Sequence, residues 1–215
     1  MQAFIFDMDG VIVDSELHWQ SVEGFFLQSL IPGWTQADQG RIIGLSQSNL
    51  YTLLNTEYGF TGDKDAFAAE YHTMAESIYR DKVALLPGFL DLITLLRAKR
   101  VPVALASSSP RAWIELVLDK FDLHDKFEMV VSAQEVGGEG KPSPAIYLYT
   151  AEKLGVEPQS CVVLEDSRNG VISARNAGMF CIGLRNGFNE EQDISAANII
   201  VEGIAGIDWT FLSTL

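Results

Sequence analysis

Residues 3–15 read AFIFDMDGVIVDS, and the fold follows from how this stretch is interpreted. Ala3 to Phe6 is a short apolar run with the length of a buried strand, and it leads directly into Asp7, Asp9 and Asp14. Carboxylates are seldom buried without a partner, and like charges set close together disfavour one another's ionisation. An acidic cluster at the end of a buried strand therefore calls for a bound cation. Residues two apart in an extended chain point to the same side, so Asp7 and Asp9 face one ligand. Gly10 permits an abrupt backbone turn just beyond them.

Further apolar runs occur downstream. They predict strands near Ala3–Phe6, Val101–Ala106, Glu128–Val131, Cys161–Leu164, Phe180–Gly183 and Asn198–Val201. Helical patterns lie between the later ones, at Arg111–Asp119, Ala145–Leu154 and Asn169–Ala177. Strand, helix and strand in regular succession make a parallel sheet with helices on both faces, an α/β Rossmann-like core. The long interval after Asp14 is helical in pattern throughout and reads as an inserted subdomain. The expected organisation is a core of residues 1–14 and 82–215 with a helical cap of residues 15–81.

The 215 residues carry 15 basic and 29 acidic side chains, a net charge of −14. That field repels nucleic acids and anionic membranes, and no basic run reverses it locally. No nucleic-acid or membrane partner is expected, and the chain is expected to be a monomer. The two cysteines, Cys161 and Cys181, sit in apolar runs and imply no disulfide framework. No apolar signal core opens the sequence and no run has the length of a membrane span, so a cytoplasmic location is expected.

Ligands bind beyond the carboxyl ends of the strands in an open parallel sheet, so the residues after each apolar run are the ones to inspect. Asp7-Met8-Asp9-Gly10 comes after the first. Ser107-Ser108-Ser109-Pro110 comes after the second, with Ser109 suited to a helix N-cap and Pro110 to the first helical position. Lys141 comes after the third and a glycine-rich loop, and Glu165-Asp166-Ser167 after the fourth. Each element alone is commonly a turn, a cap or a solvated loop. In sequence, each at a strand end, they assemble carboxylates, hydroxyls and a lysine into a site for phosphate and Mg²⁺.

The segments DMDGVIVDSE, ASSSP, GKPSP and LEDSRNGVISARNAGM resemble those of the haloacid dehalogenase superfamily, in its phosphatase and β-phosphoglucomutase-like branch with a small helical cap. The resemblance implies that Asp7 is a nucleophile forming an aspartyl-phosphate and that Asp9 is the general acid and base. It also implies that Mg²⁺ is held by Asp7, by Asp9 through its backbone carbonyl, and by Asp166, with Glu165 auxiliary. Ser107, Ser108 and Lys141 are the implied phosphoryl-binding residues. A small phosphorylated metabolite, such as a sugar phosphate, is the implied substrate.

Some positions depart from the branch. Aligned without a gap, Trp19 falls where the mutases carry a histidine, whereas a single deletion places His18 there; Ile43 and Gln47 fall where β-phosphoglucomutase has a lysine and an arginine for the distal phosphate. Arg41 lies one turn away and could substitute. Hydrolysis is thus expected ahead of a mutase reaction. A non-catalytic phospho-acceptor module is the rival from another class, but there the lysine comes last, whereas Lys141 precedes Glu165 and Asp166; a binding module that has lost activity is disfavoured because every catalytic position holds a competent residue. Trp19, Phe25 and Phe26 are expected in the core of the helical segment.

Overall fold

The computed structural model is described over residues 1–42 and 47–215. It contains β1 (Ala3–Phe6), α1 (Glu16–Leu30), α2 (Gln36–Ile42), α3 (Gln47–Tyr58), α4 (Lys64–Ser77), α5 (Phe89–Ala98), β2 (Val103–Ser107), α6 (Arg111–Phe121), β3 (Met129–Ser132), α7 (Ala145–Leu154), β4 (Cys161–Glu165), α8 (Arg168–Asn176), β5 (Phe180–Arg185), β6 (Ile199–Glu202) and α9 (Trp209–Leu212). Every strand expected from the sequence is present, with ends moved by two residues or fewer. The chain divides into two compact units, Met1–Asp14 with Ala84–Leu215, and Ser15–Val83.

In the first unit the strands form one parallel sheet in the order β3-β2-β1-β4-β5-β6. All four residues of β1 are fully buried, and burying each Phe or Ile of the run contributes about 1.5–3 kcal/mol. Alternation splits their side chains between two layers. Ile5 packs with Ile146, Tyr147 and Ala151 of α7 and Val171 and Ala174 of α8. Phe6 meets Phe89 of α5 edge-on, with ring centroids 5.4 Å apart.

The strand order is what positions the polar ends. From β1 the chain runs outward through β2 to β3, then returns to place β4 on the other flank of β1. Phe6 is in register with Leu164, and the Asp7 amide donates to the Leu164 carbonyl at 3.1 Å. Asp7 therefore emerges beside Glu165 at the switch point, where open α/β sheets bind ligands.

The second unit is helical. Asp63 caps α4 by accepting from the amides of Asp65 and Ala66. Trp19 stacks on Tyr71 at 6.1 Å and Phe26 meets Phe67 at 6.0 Å. Phe25, expected in this core, is instead 73% exposed. Trp19, Glu23, Phe26 and Leu27 form the inward stripe of α1 at helical spacing, and Phe25 stands outside it. Tyr71 and Gln39 donate to the two oxygens of Glu23 at 2.6 and 2.7 Å. Burial pushes the Glu23 carboxyl up, against those hydrogen bonds. Among the described residues no helix is long and apolar enough to cross a membrane.

Candidate active site

The turn after β1 is built on backbone hydrogen bonds from Ile12 and Val13 to the Met8 carbonyl, at 2.8 and 3.1 Å. Gly10 sits in it at φ 74°, and a Cβ there would lie 2.0 Å from Asp166 Oδ2. Only glycine meets both demands. The turn brings Asp7, which is 7% exposed, close to Asp166, and sets Asp9 against the end of β2. There Ser109 Oγ donates to Asp9 Oδ2 at 2.7 Å.

Ser109 thus differs from its expected role. α6 begins at Arg111, Pro110 occupies the capping position without a side-chain bond, and the Ser109 hydroxyl orients Asp9 instead. A serine can cap or reach across, and a carboxylate acceptor makes the stronger bond. The Ser109 amide donates to Ser107 Oγ at 3.0 Å, orienting that buried hydroxyl. Ser108 is exposed, and its Oγ accepts from the Lys141 amide at 3.3 Å.

Lys141 lies at the centre of the cluster. Its Nζ donates to Asp7 Oδ1 at 2.5 Å, Glu165 Oε1 at 2.5 Å and the Ala106 carbonyl at 3.2 Å, which uses all three protons of an ammonium. Burial works against its charge, but Asp7 and Glu165 outweigh burial and hold it above the ordinary lysine value. The Tyr147 ring lies 5.0 Å from Nζ, and its hydroxyl donates to Glu165 Oε1 at 2.6 Å. Glu165 Oε2 accepts from the amide and hydroxyl of Ser167 at 3.4 and 3.2 Å. Both oxygens of this fully buried carboxylate are therefore engaged by protein donors.

Asp7, Glu165 and Asp166 offer oxygens that all lie within 4.8 Å of one another. One ammonium does not balance three buried carboxylates and nearby Asp9. Burial pushes the Asp7 carboxyl up to about 8; Lys141 opposes this, while Glu165 and Asp9 add to it. Such an excess of negative charge in a set of hard oxygen donors fits a divalent cation of the Mg²⁺ type.

Gly170 supports the same cluster from α8, where a Cβ would stand 1.9 Å from the Glu165 carboxyl carbon. Gly170→Ala must push that carboxylate away from Lys141, so kcat is expected to fall about 10²-fold and stability by about 1–3 kcal/mol. Steady-state kinetics and urea unfolding check both numbers. Unchanged kcat would show that the Glu165–Lys141 contact is dispensable.

The structure thus gathers Asp7, Asp9, Ser107, Ser108, Lys141, Glu165 and Asp166 at the carboxyl end of the sheet. Elsewhere, Arg41 is paired with Glu57 and donates to the Tyr58 hydroxyl, Gln47 donates to the Ala68 carbonyl, and Ile43 lies outside the described residues. Sequence reasoning missed Tyr147, which reads as a core aromatic, and Asn186, which lies just past β5. Inspecting the residues beyond the β5 run in the same way as those beyond the first four would have found Asn186.

A parallel α/β sheet with a buried acid–lysine cluster at its switch point defines a protein of the phosphate-handling class. A haloacid dehalogenase-like hydrolase family model matches residues 1–178, and the chain belongs to that family, as an enzyme of the phosphatase kind. Hexitol phosphatase B of Escherichia coli K12 is 35% identical over 179 residues, 82% of this chain and 80% of that protein. Fructose-1-phosphate phosphatase YqaB of the same strain is 34% identical over 195 residues, 84% of this chain and 95% of that protein. Among solved structures, β-phosphoglucomutase (pgmB) of Clostridium difficile superposes with a TM-score of 0.81 at 26% identity, covering 100% of this chain and 96% of that one.

Proposed function

We propose that the protein is a Mg²⁺-dependent hydrolase of small phosphomonoesters, with a sugar or polyol phosphate as substrate and an aspartyl-phosphate as intermediate. The observation that carries this reading is the buried Asp7, bonded to Lys141 and followed two residues later by Asp9. A carboxylate oxygen of Asp7 attacks phosphorus, and the bond from phosphorus to the substrate alcohol breaks. Protonated Asp9 gives its proton to the departing oxygen. As carboxylate, Asp9 then takes a proton from water, whose oxygen attacks phosphorus and releases Asp7 and inorganic phosphate. Lys141 and the Ser107 hydroxyl bind the phosphoryl oxygens and offset charge developing on them.

Asp7, Asp166 and the backbone carbonyl of Asp9 would hold the Mg²⁺, with Glu165 anchoring Lys141 instead of serving as a ligand. The ion supplies positive charge that keeps Asp7 ionised and neutralises the phosphoryl group. Residues 15–81 are read as the cap that selects the metabolite, and the location as cytoplasmic. The phosphatase names of the two relatives support hydrolysis over mutase action.

The test is phosphate release from hexitol phosphates, fructose 1-phosphate, β-glucose 1-phosphate, phosphoglycolate and nucleotides, with Mg²⁺ or with EDTA. Release is expected only with Mg²⁺ and fastest on a sugar or hexitol phosphate. Conversion of β-glucose 1-phosphate to glucose 6-phosphate without release would establish the mutase instead.

A further inference from the structure

Asn186 lies in the loop after β5, far from the acidic motifs in sequence, yet its side chain joins two of them. Its Nδ2 donates one proton to the Gly10 carbonyl at 2.8 Å and the other to Asp166 Oδ2 at 3.0 Å. A carbonyl and a carboxylate both require donors, which settles the amide orientation. Oδ1 on the other side accepts from the Phe188 amide at 3.1 Å.

The loop is itself held. Asn189, 6% exposed, donates from Nδ2 to the carbonyls of Asp166 and Leu184 at 2.7 and 2.8 Å, and its Oδ1 accepts from the Asn186 amide at 3.2 Å. Arg185 bonds the Asn189 and Gln192 carbonyls, both at 2.9 Å. A Cβ at Gly10 would stand 3.1 Å from Asn186 Nδ2 as well as against Asp166, so the bare backbone at Gly10 is what lets the amide reach both partners.

From this arrangement we infer that Asn186 is a positioning residue that makes Asp166 a one-oxygen ligand and thereby sets selection of Mg²⁺ over Ca²⁺. The inference rests on the proposed cation site. Ca²⁺ takes six to eight oxygens and commonly both oxygens of a carboxylate, whereas Mg²⁺ takes six at near-octahedral positions. At Asp166 one oxygen accepts an amide proton, which draws electron density from it and holds it toward Asn186, and at Glu165 both oxygens accept from Lys141, Tyr147 and Ser167. The cluster is thereby poor in two-oxygen carboxylates and suits the smaller ion.

The experiment is isothermal titration of metal-free full-length protein with MgCl₂ and with CaCl₂, which needs no turnover, for wild type, Asn186→Ala and Asn186→Asp. Melting in EDTA checks folding. Asn186→Asp keeps the side-chain size and replaces the donor with an acceptor, so it serves if the alanine variant unfolds. Both variants are expected to shift the ratio of Ca²⁺ to Mg²⁺ affinity toward Ca²⁺ by about tenfold, the scale on which partners of metal ligands act. A parallel weakening of both ions, with the ratio unchanged, would make Asn186 a merely structural residue and overturn the inference while leaving the cation site intact. No binding of either ion by wild type would overturn the cation site and the inference together.

Discussion

Asp7→Asn is expected to lower kcat/KM on the best phosphomonoester by at least about a thousandfold, because the amide keeps the volume of the carboxyl but is no nucleophile. Intact-mass spectrometry of the quenched reaction should show phosphorylated wild type and no phosphorylated variant. Fold damage is not the cause to expect. Burial holds Asp7 up at about 8 in the metal-free protein, so the folded state favours its neutral form. A carboxyl raised in the folded state contributes stability at low pH that is lost as pH rises toward that value. Metal-free wild type should therefore weaken toward pH 8 relative to Asp7→Asn, which has no proton to lose. Substantial residual turnover in Asp7→Asn would remove the aspartyl-phosphate from the mechanism.

Lys141→Met is expected to destabilise the protein strongly. The ammonium and Glu165 are nearly sealed from water, with side-chain exposures of 6% and 0%. Methionine fills the space of the stem but leaves the Glu165 charge with only the neutral donors of Tyr147 and Ser167. Stripping one partner from a buried ion pair costs about 3–5 kcal/mol. Urea unfolding in EDTA measures the loss, and phosphate release should fall with it. A loss below about 1 kcal/mol would mean that the pair contributes little net stability, as exposed pairs do.

Much of the fold was legible in the amino-acid pattern alone. Apolar runs of strand length, most of them ending in a polar cluster, located the six strands of the sheet. A buried parallel strand has to be apolar along its whole length, and its functional residues fall just past its end, so the pattern is strong. The helical segment was harder to read at the level of side chains. Phe25 and Phe26 are adjacent on α1, yet only Phe26 packs, because an α-helix turns consecutive residues to different sides and the run is apolar at both positions.

The acidic cluster was legible for the same reason as the strands: Asp7, Asp9, Glu165 and Asp166 each lie at or just past the end of an apolar run. Their partners were not. Ser109 looked like a cap and bonds Asp9; Tyr147 drew no attention within its helical run and bonds Glu165; Asn186 sits 176 residues from Gly10 and bonds it. Local sequence identifies donors and acceptors but cannot pair them, because pairing depends on which strands the sheet sets side by side.

By itself, then, the amino-acid sequence determined the succession of strands and helices, the family, and the chemical groups available at the strand ends. These arise from local apolar periodicity and residue type. Only the tertiary structure decided that β4 lies beside β1, that Lys141 spans Asp7 and Glu165, and that Glu165 has both oxygens taken while Asn186 engages one oxygen of Asp166. The physical reason is that a carboxylate's role is set by the donors around it, and those donors come from elements brought together only when the sheet is assembled.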